Sequence, residues 1–274
     1  MGEAPRFGTS GLRGLVTELT DDLVARYTRA FLRHLGAGDR LLVGRDLRNS
    51  SPRIAAAVAA GAATEGVTAT DCGALPTPAL ALEAIRLGVP AIMVTGSHIP
   101  SDRNGLKFYR PDGEIDKADE AAIVASLASV PTEALPSVSP ALSTEAVDRY
   151  VGRYTTLEVS LRGARIGVYE HSSVARDILA KVLTALGAEV IPLGRSSTFV
   201  TIDTEALRAE DTALVHGWAA EHGLDAIVST DGDADRPLIA NENGVFLRGD
   251  VVGLLTENSS VPRPSSRPSH RPRL

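Results

Sequence analysis

Two short stretches hold the residue types best suited to chemistry. Thr95-Gly96-Ser97-His98-Ile99-Pro100 follows the apolar run Ala91-Ile92-Met93-Val94. A buried strand therefore delivers Ser97 to its carboxyl end, where open α/β sheets bind ligands and where a hydroxyl is placed to act as a nucleophile. The second stretch, Ser229-Thr230-Asp231-Gly232-Asp233-Ala234-Asp235-Arg236, follows the strand-like Asp225-Ala226-Ile227-Val228. Gly232 and Ala234 leave room for a tight loop in which the carboxylates of Asp231, Asp233 and Asp235 converge. Two like charges about 4 Å apart repel by roughly 1 kcal/mol in water and about 4 kcal/mol at an effective dielectric of 20, so a converged trio favours a cation. Oxygen-only ligands with positions left open for water or phosphate suit Mg²⁺.

Blander readings compete. A solvated turn is the lesser alternative for the acidic loop, and its spacing touches that of an EF-hand. Arg236, however, falls where that loop requires Gly, Pro237 follows, and the flanks read as strands. The serine turn reads also as an ordinary polar connection, and it is not a hydrolase elbow because Thr95 and Ile99 replace the outer glycines. Weight comes from the sequel Asp102-Arg103-Asn104-Gly105-Leu106-Lys107-Phe108-Tyr109, with a turn signal at Asn104-Gly105 and Lys107 just inside the next extended segment. His98 and Lys107 are proton-transfer candidates, Lys107 on condition that its pKa is lowered. Surface solvation is the alternative for both.

The elements that must position these loops alternate. Residues 21–35 have the period of an amphipathic helix capped by Thr20. Leu41-Leu42-Val43 reads as a strand, and an Ala-rich helix begins near Ser51 with Pro52 in its first turn. A strand near Val67, a helix over 78–87 and the strand at Ala91 follow. Val130 to Ser143, with Pro131, Pro136 and Pro140, reads as an interdomain linker. The pattern restarts with a helix around Tyr150, strands over 165–169 and 189–193 with a helix between them, a helix over 204–222, and a hairpin over 238–247 turning at Asn243-Gly244. The expected fold class is α/β: two successive three-layer α/β/α domains of similar plan with mixed sheets, over 1–140 and 141–256. A helix starting at Asp250 is interrupted by a Pro-, Arg- and Ser-rich tail over 257–274, which is expected to be disordered.

The 274 residues suffice for two domains, each with its own core. The single cysteine, Cys72, excludes an intramolecular disulfide and fits a reducing cytoplasm. No signal core opens the chain and no apolar run is long enough to span a membrane, so no membrane role is expected. A net charge of −6 argues against nucleic acid as a partner. Oligomeric state is not readable.

Together with Phe7-Gly8-Thr9-Ser10-Gly11-Leu12-Arg13-Gly14, the two loops resemble the α-D-phosphohexomutase superfamily, and most closely its bacterial phosphomannomutases. The resemblance implies that Ser97 is carried as a phosphoserine and that Ser97, Asp231, Asp233 and Asp235 supply the ligands of Mg²⁺. It implies that Arg13 approaches the phosphoserine, that Lys107 helps proton transfer and that Arg236 closes the metal loop, with His98 beside the serine. The reaction it implies is phosphoryl transfer between C6 and C1 of a hexose phosphate, mannose 6-phosphate and mannose 1-phosphate, with a hexose bisphosphate as activating phosphoryl donor. The alternatives are a mutase for glucose or glucosamine phosphates, or an inactive remnant that only binds a sugar phosphate. Ala234 departs from the glycine usual in that loop, a change that matters only if the position needs positive φ. Gly44-Arg45-Asp46-Leu47-Arg48-Asn49-Ser50-Ser51 also resembles a family segment, without an evident role. The family's later motifs, of Gly-Glu-x-Ser-Gly and Arg-x-Ser-Gly-Thr type, are not found in the chain. The resemblance therefore covers the amino-terminal half, and the chain is expected to be a truncated form with little turnover of its own.

Overall fold

Successive residues of the central strands feed different cores, although nearly all of them are apolar. In the computed structural model, which describes residues 4–8, 11–36 and 38–260 and no side chains over 258–260, the elements run in this order. They are β1 (Arg6–Phe7), β2 (Leu12–Leu15), α1 (Asp21–Leu35), β3 (Arg40–Arg45), α2 (Ser51–Thr64), β4 (Thr68–Ala74), α3 (Thr77–Leu87), β5 (Ala91–Val94), β6 (Arg103–Arg110), β7 (Gly113–Glu114), α4 (Lys117–Leu127) and β8 (Ala141–Leu142). The second half adds α5 (Glu145–Thr155), β9 (Arg165–Tyr169), α6 (Arg176–Ala185), β10 (Glu189–Leu193), α7 (Ala209–His222), β11 (Ala226–Thr230), β12 (Pro237–Asn241) and α8 (Gly249–Ser260). Leu41, Val43, Ile92 and Val94 point to a core shared with Phe31 of α1, Ile54 of α2 and Ile123 of α4. Leu42, Ala91 and Met93 point the other way, onto Leu80 of α3 and Ala146 of α5. That two-sided burial is why these strands show no polar alternation.

The larger sheet has the order β1-β2-β6-β5-β3-β4-β8, and the smaller one β10-β9-β11-β12. One four-strand plan recurs in both. In β4-β3-β5-β6 and again in β10-β9-β11-β12 the first two pairings are parallel and the last is antiparallel. The serine loop joins β5 to β6 and the carboxylate loop joins β11 to β12, so the two loops hold equivalent places in the repeat. In the second half, Tyr169, Leu193, Ile227 and Leu238 pack on Val215 and Ala219 of α7, and α6 packs on β9, β10 and α5.

Several expectations need correction. Asn104 and Gly105 lie inside β6 rather than in a turn. The Asn104 amide donates to Ser50 Oγ and Ser51 Oγ, and Gly105 is required because Leu12 O of the paired strand would lie 2.4 Å from a Cβ there. The linker is no free spacer: Val130 and Val138 pack in the first core, and β8 adds a parallel strand on β4. Helix α7 starts at Ala209 because the Arg208 backbone is extended. The return arm of the expected hairpin shrinks to a single bridge from Phe246 to Ala240. Helix α8 runs to Ser260, through the start of the expected disordered tail, and the remainder of that tail, 261–274, lies outside the described residues. Among the described residues no helix is long and apolar enough to cross a membrane.

Candidate active site

The two halves pack so that the equivalent loops meet. Ser97 Oγ donates a 2.7 Å hydrogen bond to Asp231 Oδ2 and lies 3.2 Å from His98 Nδ1. Ser97 is buried and takes a left-handed backbone, φ +50°, a strained conformation for a non-glycine residue. Its N–H donates to Thr95 Oγ1 at 2.8 Å, and Thr95 Oγ1 in turn donates to Asp46 Oδ2 at 2.9 Å. Arg48 Nη2 donates to Ser97 O at 2.9 Å. The segment from Gly44 to Ser51 thus has a role: it grips the serine loop from below.

Asp231, Asp233 and Asp235 bring one carboxylate oxygen each within 4.8 Å of one another. Lys107 reaches them from β6, paired with Met93 of β5, and Nζ donates to Asp233 Oδ2 at 2.8 Å and to Asp235 Oδ2 at 2.6 Å. Asp233 Oδ2 also accepts from Thr77 Oγ1 at 2.6 Å, while Asp233 Oδ1 is buried without a hydrogen-bond partner among the described residues. Burial and then the neighbouring carboxylates push Asp231 up to about 8. Burial works to raise Asp233 too, but the Lys107 ammonium outweighs it and holds Asp233 below the usual carboxylate range. At Lys107 burial works to lower the pKa, and Asp233 and Asp235 outweigh it and raise it well above the ordinary lysine value. The lowered pKa on which a base role for Lys107 depends is therefore not met. Its ammonium instead neutralises part of the cluster.

The cluster fits a hard cation. All its donors are oxygens, three carboxylates face a single ammonium, and the orphaned Asp233 Oδ1 leaves a buried oxygen that an ion would satisfy.

The two expected arginines are placed differently. Arg236 donates its backbone N–H to Asp231 Oδ1 at 3.3 Å, which closes the loop, but its guanidinium turns outward to Glu205 at 2.9 Å and lies 4.0 Å from Asp235. Arg13 lies on β2 beside Gly105 of β6, its Cγ against that glycine; Thr9 and Ser10 of its motif lie outside the described residues. Ala234 takes φ +59°, so the position does need positive φ and the methyl is strained there. Thr77 and Phe199 were not legible from sequence. The Pro after Thr77 signalled only a helix start, and nothing marked Phe199.

Two α/β/α units of one plan, with a serine hydroxyl set on a carboxylate cluster between them, form the layout of the amino-terminal pair of domains in an α-D-phosphohexomutase. The chain belongs to the phosphoglucomutase/phosphomannomutase family: residues 4–133 match its α/β/α domain I and residues 147–244 its α/β/α domain II. It is 51% identical over 264 residues to a phosphomannomutase of Sinorhizobium fredii, covering 92% of this chain and 56% of that protein. It is 50% identical over 254 residues to a phosphomannomutase of Salmonella muenchen, covering 91% and 53%. The chain thus spans about half the length of these curated relatives. The crystal structure of a phosphoglucomutase/phosphomannomutase family protein from Burkholderia thailandensis superposes with a TM-score of 0.74 at 24% identity, covering 91% of this chain and 58% of that one, a likeness of fold.

Proposed function

We propose that the chain provides the phosphoserine and metal-binding halves of a phosphomannomutase active site, which interconverts mannose 6-phosphate and mannose 1-phosphate by way of phosphorylated Ser97, in a cytoplasmic enzyme with units dividing near residue 140. The observation that supports it most is the 2.7 Å contact of Ser97 Oγ with the carboxylate cluster. Mannose is favoured over glucosamine because the phosphomannomutases above stand at 50–51% identity, against 33% for a phosphoglucosamine mutase of Desulforamulus reducens.

Mg²⁺ held by Asp231, Asp233 and Asp235, with an oxygen on Ser97, would neutralise charge on the transferring phosphoryl group. The chain's own residues do the rest. In priming by a hexose bisphosphate, Ser97 Oγ bonds to phosphorus and the bond from phosphorus to the sugar oxygen breaks. The Oγ proton leaves as that bond forms, and His98 Nδ1 at 3.2 Å is the acceptor that stays available when Asp231 serves the metal. The sugar oxygen takes up a proton as it departs. Lys107 stays charged and holds Asp233 and Asp235 in place.

The experiment is priming with glucose or mannose 1,6-bisphosphate and Mg²⁺, read by intact mass and peptide mapping. One phosphoryl group on Ser97, absent from Ser97→Ala, is expected. Phosphate on another residue, or labelling that survives in Ser97→Ala, overturns the reading.

A further inference from the structure

The guanidinium of Arg48 is completely engaged. Nε donates to Asp46 Oδ2 at 3.2 Å, Nη1 to Pro100 O at 2.9 Å and Arg103 O at 3.2 Å, and Nη2 to Ser97 O at 2.9 Å and Ile99 O at 2.6 Å. Each donor direction of the fork is thereby used, and four of the five acceptors are carbonyls of the serine loop and the turn after it. The fork lies directly beneath the loop. A Cβ at Gly96 would come within 2.7 Å of Arg48 Cζ, so only glycine admits the guanidinium there.

The same guanidinium is also covered from the second half of the molecule. Phe199, in the segment between β10 and α7, places its ring centroid 4.0 Å from Arg48 Cζ. The ring edge also rests on the carboxylate loop: a Cβ at Gly232 would lie 3.0 Å from Phe199 Cζ and 3.3 Å from Ser97 O. Gly96, the Arg48 fork and the Phe199 ring thus form a stack, and Gly232 closes its edge. This stack is a direct mechanical link from the serine loop to the carboxylate loop that does not pass through the Ser97 and Asp231 side chains.

We propose that Phe199 is a positioning residue, which through its stack on Arg48 fixes the distance and angle between Ser97 and the carboxylate loop. The expected consequence for phosphoryl transfer rests on the function proposed above; the mechanical coupling does not. A cation is attracted to the face of an aromatic ring, and a displacement of a reacting atom by about 1 Å can cost around a hundredfold in rate. The ring also borders an open cleft of about 640 Å³ lined by Arg48, Asn49, Arg53, Asp102 and Thr198, so replacing it creates no closed void. A substitution there should leave the fold intact.

Two variants separate the ring's contribution from bulk. Phe199→Leu keeps apolar volume and loses the aromatic face, whereas Phe199→Tyr keeps the face. Hydrogen exchange is compared between residues 95–103 and the central strand 40–45, which serves as the fold control. Phe199→Leu should raise exchange in 95–103 at least about tenfold with 40–45 unchanged, and Phe199→Tyr should stay within about twofold of the parent. In single-turnover priming with glucose 1,6-bisphosphate, the Leu variant should lose about tenfold in the rate of Ser97 phosphorylation at saturating donor, with the half-saturating concentration unchanged. Unaltered exchange in the Leu variant, or a Tyr variant as loose as Leu, overturns the coupling. If the parent protein takes no phosphate, the proposed function fails while the exchange measurement still decides the role of Phe199.

Discussion

Two seams join the halves of this molecule by charge, and they are built in opposite ways. At the site, the carboxylates of Asp231, Asp233 and Asp235 face the ammonium of Lys107, and one buried oxygen, Asp233 Oδ1, has no hydrogen-bond partner among the described residues. Where α5 packs on α3, the single carboxylate of Glu83 is gripped by two forks: Arg86 at 3.0 and 2.7 Å and Arg149 at 3.1 and 3.1 Å. Each Glu83 oxygen accepts twice, and hydrogen bonding from Arg86 first, with help from Arg149, draws its pKa down to about 2. A cavity of about 370 Å³, lined by Tyr150, Tyr154, Ile178, Ala234 and Asp235, lies between the two seams. The α5 seam is satisfied and asks for nothing further. The site seam is short of positive charge, and that shortage is what a ligand can relieve.

The sharpest way to break the comparison is to remove Lys107. Lys107→Met leaves the buried Asp233 carboxylate, and the exposed Asp235 beside it, without their ammonium and should cost about 3 kcal/mol in metal-free protein. Because an added cation restores the missing charge, Mg²⁺ should raise the melting temperature of this variant more than that of the parent. A loss below about 0.5 kcal/mol, in the range of an ordinary surface change, would show that the cluster is not strained by its charge.

The two seams should also respond to pH with opposite sign. Asp231 has a raised folded pKa, so the stability it contributes is present below about 4, its unfolded value, and is lost as pH rises through about 8. Binding of Mg²⁺ at pH 7 should therefore release protons, seen as a dependence of the calorimetric heat on the ionisation enthalpy of the buffer. Heats that are equal in all buffers would contradict a protonated Asp231. Glu83 has a depressed pKa, so its contribution is present above about 4.3, its unfolded value, and is lost as pH falls through about 2. Both arginines are nearly half exposed, at 45% and 44%, which limits the expected cost of Glu83→Gln to about 1 kcal/mol at pH 7. Denaturant unfolding should show that difference vanish near pH 2; a difference that persists there would assign it to packing rather than charge.

The smallest effect concerns strain at the site seam. Ala234→Gly removes a methyl from a left-handed position, worth about 1–2 kcal/mol, against about 0.5–1 kcal/mol of added chain entropy when unfolded. A net gain of about 0.5 kcal/mol in denaturant midpoint is expected, and a loss would mean that the φ of +59° carries little strain.

Local chemistry made much of this legible. The apolar run before Ser97, the alternating aspartates and Thr20 before a 3.6-residue period each act over a few residues, so the strands, the loops and α1 follow from neighbours in the chain. Asn104-Gly105 misled for the same reason: Asn and Gly favour turns locally, but here a glycine is demanded by the Leu12 carbonyl of a strand about ninety residues away. Thr77 reaches Asp233 across 156 residues, and no local pattern announces such a partner.

The sequence by itself determined which chemistry is present: a serine at a strand end, three carboxylates in one loop, and two α/β repeats that set those loops in equivalent places. Only the tertiary structure decided how those groups behave. It drew Lys107 between Asp233 and Asp235 and so raised the pKa that a base role needs lowered, turned Arg236 outward to Glu205, and placed Phe199 over Arg48. Electrostatic and packing energies depend on burial and on distances of a few ångströms between residues far apart in the chain, and those distances exist only once the two halves have met.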